Sequence, residues 1–323
     1  MEHGKIGRQK YDDQADSLRT ASWRASNTTD VAKYSAVSRA RAANGRTYQC
    51  WDARASMANK VSLVIVTFMT SAVRRLDLGT IYAHVLTTDE ALDELESLVV
   101  REEGGYVVTP NVDHVVQAED SAALRQAYEG ASLSLVDGQP LIWLSKMIGD
   151  PFPEKISGSD FVPRVIERAA ERGWRLFFLG AAEGVGAKAA QVLQGQYPGI
   201  DIVVHSPSFG FEQDEQESAR VLGMIQTARP QVLVLALGCP KQELLMHRWR
   251  NQLGATVAIG AGATLDFIAG NVARSPSWMS DAGLEWLYRL VREPRRLAHR
   301  YLVRDPQIVK IAWRMFRDRR FAP

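Results

Sequence analysis

The stretch QVLVLALGCPKQELLMHRWRNQL, Gln231 to Leu253, decides the fold class. Val232 to Leu237 are apolar without a break, which is the pattern of a strand covered on both faces rather than one with a wet side. Gly238 ends the run, and Pro240 then suits the first position of a helix. A doubly buried strand, a glycine turn and a helix make half of a βαβ unit.

Working outward, the same alternation recurs. GYVVTP (Gly105 to Pro110), ASLSLVDG (Ala131 to Gly138), WRLFFLG (Trp174 to Gly180), IDIVVH (Ile200 to His205) and ATVAIGAG (Ala255 to Gly262) read as strands. SDFVPRVIERAAERG, GVGAKAAQVLQGQ and EQESARVLGMIQTA read as helices between them. The expected fold is α/β: a mainly parallel, Rossmann-like sheet with helices on both faces, spanning residues 75–282. A basic amphipathic helical appendage is expected over 283–323. Residues 1–60 are polar and without periodicity, so disorder is their expected state; a misassigned start codon explains them equally well.

Composition narrows the classes. Of 323 residues, 46% are hydrophobic and 24% charged, which suits a globular chain, and the net charge of +2 carries no global field toward nucleic acid. The positive charge is confined to one end: from Glu285 to Pro323 there are eleven Lys or Arg against four Asp or Glu. No nucleic-acid-binding motif accompanies it, so nucleic acid is not an expected partner. Cys50 and Cys239 form no disulfide framework and no metal-ligand spacing, which suits a reducing cytoplasm. The first thirty residues hold no signal-peptide core, and the most apolar window, Val61 to Met69, is far shorter than the roughly 20 residues of a membrane span. Any contact with a membrane is expected from one side.

In a parallel α/β sheet, ligands bind beyond the carboxyl ends of the strands. Gly180, Gly238, Gly260 and Gly262 all stand at such ends. Each turn can aim backbone N–H groups and a positive helix end at an anion, although tight βα connections also need glycine for steric reasons alone. Neither the P-loop pattern nor the dinucleotide fingerprint is present. Thr109, Asn111 and His114 follow the first good strand and Asp137 follows the second. Spacing leaves two readings for Asp137, a cap for the next helix or a general base in the cleft. Asn111 is likewise a cap or a ligand for a sugar hydroxyl. A non-catalytic nucleotide-binding regulatory module would explain the glycine turns, but gives Asp137 and the arginine tail no joint purpose.

TPNVDH, DGQPLIW, KISGSDF, FFLG, LGCPKQE, GAGATLDFIAG, RSPSW and GLEWLYRLVREPRRLAHRY occur in an order and spacing that resembles the WecG/TagA/CpsF proteins, glycosyltransferase family 26. The likeness runs from about Arg75 to Asp305. It implies an inverting transferase that moves a sugar, of the N-acetylmannosamine type, its uronic acid or glucose, from a UDP-sugar to a polyprenyl-diphosphate-linked saccharide. That reaction belongs to cell-surface polysaccharide assembly at the inner face of the bacterial plasma membrane. By the same resemblance Asp137 is the catalytic base, and Thr109, Asn111, Lys155 and Gln242 line the substrate cleft. Lys155 stands where members often have arginine and keeps the charge without the bidentate fork. Cys239 stands where many have Ser or Thr.

No Asp-x-Asp pair is present, so no metal site or cofactor is expected, and helix N-termini with Lys or Arg must stabilise the diphosphate charge. The tail supplies arginines. In GLEWLYRLVRE, Leu284, Leu287, Tyr288 and Val291 make one apolar face, and Pro294 breaks the helix or starts another. Arg296, Arg300 and Arg304 follow at intervals of four. The tail reads either as a packed helical pair with a solvated basic stripe, or as a surface for an anionic membrane and a diphosphate. On the second reading Arg296 and Arg300 bind substrate.

Overall fold

A computed structural model of the chain describes residues 73–320, apart from 277, 278 and 280–282. Residues 1–60 and the apolar window Val61 to Met69 lie outside the described residues. The described chain opens with a two-stranded antiparallel hairpin, β1 (Arg75–Leu78) and β2 (Ile81–His84). It continues through α1 (Thr88–Val100), β3 (Gly105–Val108), α2 (Val112–Asp120), α3 (Ala122–Glu129), β4 (Leu133–Ser134), α4 (Gln139–Met147) and α5 (Gly158–Arg172). Then come β5 (Arg175–Gly180), α6 (Val185–Gln196), β6 (Asp201–His205), α7 (Glu215–Ala228), β7 (Val232–Ala236), α8 (Lys241–Trp249), β8 (Val257–Gly260) and α9 (Thr264–Ile268). The last helices are α10 (Glu285–Arg292), α11 (Pro294–His299) and α12 (Ile308–Arg320).

Six strands, β3 to β8, form one sheet in the order β4-β3-β8-β7-β5-β6, with every pairing parallel. The unbroken apolar strands follow from the two layers they separate. On β7, Leu233 and Leu235 face one core with Phe177, Leu179 and Ala258. Val232 and Val234 face the other with Leu176, Phe178, Val257 and Ile259. Each of these Val, Leu, Ile and Phe side chains, fully removed from water, contributes roughly 1.5–3 kcal/mol before entropy is counted. The fold is the α/β architecture expected from the sequence.

Pro294 begins α11 at its first turn, so the proline starts a helix instead of kinking one. Two parts of the C-terminal segment behave differently. In α10 no side chain is buried, and Leu287 and Val291, both on its expected apolar face, are exposed. In α12, by contrast, Ile311 is only 4% exposed and joins the same core as β7. Its methyl packs on the β1–β2 turn at Gly79, whose φ of +80° and closeness to Ile311 leave no room for a Cβ. Arg314 reinforces the docking through Glu119 at 2.7 Å. Ile311→Ala should therefore destabilise the whole protein by about 2–4 kcal/mol in urea unfolding, within one transition. A separate early transition for the C-terminal helices would contradict this.

Candidate active site

The polar residues singled out in the sequence collect where the strands end. Thr109 and Asn111 follow β3, and the loop Asp137–Gly138 follows β4, its neighbour. A bond from Asp137 N to Pro110 O at 2.8 Å ties the two loops together. A third loop joins them through Ile156 N and Val136 O at 2.8 Å, which brings Lys155 to the same rim. Thr109 is buried against the start of α5: a Cβ on Gly158 would stand 3.5 Å from its Oγ1. Asn111 caps α2, with Oδ1 accepting from His114 N at 3.3 Å.

Asp137 does not cap the helix that follows it. Gly138, at φ +98°, occupies the N-cap of α4, and no side chain bonds to that end. The residue is half-buried, with its carboxyl packed about by protein. Its pKa is raised to about 7, first by loss of solvation and then by the Glu285 carboxylate, while Arg289 and Lys155 oppose the rise. Glu285 is ion-paired with Arg289 and lies 4.0 Å from Lys155. A carboxyl poised near neutrality can accept a proton from a hydroxyl and is suited to general-base work.

Glu285 and Arg289 were not read as site residues from the sequence. Their spacing of four on one helix is an ion-pair signal, but nothing local says that the pair sits over Asp137.

Gln242 is nearly fully buried, and its amide is committed. Oε1 accepts from Gly238 N and Gly262 N, each at 3.2 Å, and Nε2 donates to Glu243 Oε1 at 2.9 Å. Two of the glycine N–H groups that the sequence offered to an anion are thus turned inward onto this side chain. Gln242 braces the turns after β7 and β8.

The arginines of the tail reach the site from the other side. Arg300 donates to Asn111 Oδ1 at 3.2 Å and pairs with Asp113 at 3.4 Å; Arg304 holds Asp113 at 2.9 Å. Asp113 is itself buried and accepts from Gln117 at 2.9 Å. Arg300 and Arg304 are therefore not a solvated stripe. Arg296 lies on α11, and its side chain is outside the described residues. Residues 300–304 form a π-helical turn, a widened form that recurs at functional sites.

Residues 76–322 match the sequence profile of the glycosyl transferase WecG/TagA/CpsF family. The chain belongs to that family. Among curated relatives, an N-acetylglucosaminyldiphosphoundecaprenol N-acetyl-beta-D-mannosaminyltransferase from Bacillus spizizenii is 33% identical over 193 residues, 60% of this chain and 73% of the relative. A protein of the same name from Bacillus subtilis is 30% identical over 206 residues, 64% of this chain and 78% of the relative. The chain is a glycosyltransferase, which sets aside the non-catalytic nucleotide-binding module.

In this glycosyltransferase the strained protonation of Asp137 has a thermodynamic signature. The folded chain holds the proton to about pH 7, whereas an ordinary carboxyl loses it near 3.8. Stability is therefore lost as pH rises from about 4 to about 7. Asp137→Asn removes that loss, so the variant should match the wild type near pH 4 and exceed its stability by up to about 4 kcal/mol at pH 8. Thermal melts of both proteins across that range read the difference. A constant offset between the two curves would contradict the raised pKa.

Proposed function

We propose that the protein transfers a sugar of the N-acetylmannosamine type, its uronic acid or glucose, from a UDP-sugar to a polyprenyl-diphosphate-linked saccharide, with inversion at the anomeric carbon. The observation that carries this reading is Asp137: a carboxyl at a strand end, free of any capping role, with a pKa near 7 and two cations beside it. The names of the Bacillus relatives supply the lipid-diphosphate acceptor and the mannosamine-type sugar.

In the reaction the acceptor hydroxyl gives its proton to the Asp137 carboxylate as its oxygen attacks the anomeric carbon. The bond from that carbon to the UDP oxygen breaks on the opposite face, which inverts the configuration. UDP leaves with the bonding pair, and the charge that develops on its diphosphate needs cations at the rim. Lys155, Arg289 and Arg300 supply them, and no divalent metal is required. Thr109 and Asn111 contact the sugars, and Gln242 keeps the floor of the cleft in place.

The acceptor's lipid tail puts the reaction at a membrane. Among the described residues no helix is long and apolar enough to cross one. The tail carries Val291, Leu302, Val303, Val309, Trp313 and Phe316 exposed among its basic residues. Apolar and basic side chains together suit the surface of an anionic bilayer, here its cytoplasmic face.

Asp137→Asn should lower turnover by about 10²–10⁴-fold, with UDP release from donor and acceptor as the assay. Wild-type turnover in that variant removes Asp137 from the mechanism. Activity should also survive excess chelator; a loss that Mg²⁺ or Mn²⁺ restores would contradict the metal-free account.

For the membrane, Lys310→Gln with Arg317→Gln leaves the buried Ile311 untouched. At about 1 kcal/mol per basic residue, the pair should weaken binding to phosphatidylserine vesicles by about thirtyfold at low salt. Salt should shrink the difference, because the Debye length falls to about 3 Å at 1 M. Equal co-sedimentation of variant and wild type at low salt would refute the surface.

A further inference from the structure

Three side chains outside the Asp137 rim converge in the interior. His114 lies in the first turn of α2, Cys239 in the turn after β7, and Glu243 on the first turn of α8. One donor atom from each lies within 4.8 Å of the other two. His114 and Glu243 are buried, while Cys239 keeps partial access to solvent.

The second observation is the state of the individual atoms. Glu243 is fully buried, and its Oε1 accepts from the Gln242 amide. Its Oε2 is shut off from solvent, and the Cys239 thiol hydrogen-bonds this carboxyl, so two of the three side chains already touch. No cation is among the groups that act on this fully buried carboxyl, and buried carboxylates are as a rule paired with a cation or bound to a metal. His114 is oriented by the Tyr128 hydroxyl, 2.8 Å from Nδ1, which directs the other ring nitrogen away from that bond. Histidine ligands of metals are held in this way by an outer partner.

We propose that His114, Cys239 and Glu243 bind a thiophilic divalent cation, zinc in the first place. One imidazole, one thiolate and one carboxylate form a donor set that zinc accepts, and water completes the tetrahedron. Tetrahedral zinc keeps its donors about 3.4 Å apart, so side-chain movements of about 1 Å close the set. Hard cations such as Mg²⁺ prefer oxygen alone and are not the expected occupant. Gln117, whose amide stands 4.0 Å from the Cys239 sulfur, and Pro240 lie in the wall of a cavity of about 410 Å³.

A bound ion would pin the first turn of α2 to the turn after β7. Asn111 and Asp113, which receive Arg300 and Arg304, sit in or beside that first turn. The site is independent of the transferase reading, because neither its ligands nor its test involves sugar transfer.

The test uses the purified full chain, stripped by chelator and titrated with Co²⁺ as an optical stand-in for zinc. One equivalent should bring up a thiolate-to-cobalt charge-transfer band and the visible bands of a tetrahedral ion, and zinc should abolish both. Cys239→Ser should remove the charge-transfer band, whereas Cys50→Ser should keep it. Tyr128→Phe deletes one hydroxyl and should weaken Co²⁺ binding by about 10–100-fold. Absence of the band in the folded wild type overturns the proposal whatever the variants do. Its persistence in Cys239→Ser overturns it as well.

Discussion

Asp113 is a carboxylate shut away from water and matched by cations from the far end of the chain. It lies in the first turn of α2 with Arg304, Arg300 and Gln117 around it. Removing one partner of a buried ion pair leaves a stranded charge and costs about 3–5 kcal/mol. The two arginines come from the far end of the chain, so the pairing holds the turn 300–304 against the strand ends. Arg300 reaches Asn111 because of it, and Asp305, whose carboxyl is pushed up to about 6 by burial, is carried in beside Arg300.

The turns after β7 and β8 depend on a neutral side chain. Gln242 accepts from the N–H groups of Gly238 and Gly262, two residues in left-handed backbone that other side chains adopt poorly. One amide thereby fixes the turns after β7 and β8 in a single arrangement. A Cβ on Gly260 would stand 2.6 Å from the Gln242 Nε2, so the brace and the small residue beneath it require each other.

Around Asp137 the charges nearly balance. Glu285 raises its pKa while Arg289 and Lys155 lower it, and burial decides the direction. A lone cation there would keep the carboxylate ionised and weakly basic. With Glu285 taking up part of both cations, the site keeps positive charge for an anion and still leaves Asp137 basic enough to take a proton.

The sequence alone was enough for the parallel α/β sheet, because two-sided burial writes itself as short unbroken apolar runs such as Val232 to Leu237, and glycine and proline mark their ends. It also placed Thr109, Asn111 and Asp137 at strand ends. Periodicity is a local property, however, and strand order and distant pairings are not. The order β4-β3-β8-β7-β5-β6, the meeting of Asp113 with Arg304 across 191 positions, and the seating of Glu285 and Arg289 over Asp137 arise only when the layers pack. The resemblance put Gln242 among the cleft residues, and packing sets its amide against the two glycine turns after β7 and β8. For the same reason His114, distant in sequence from the neighbours Cys239 and Glu243, meets them in the fold: β3 and β7 both flank β8, and their carboxyl ends open on the same side of the sheet.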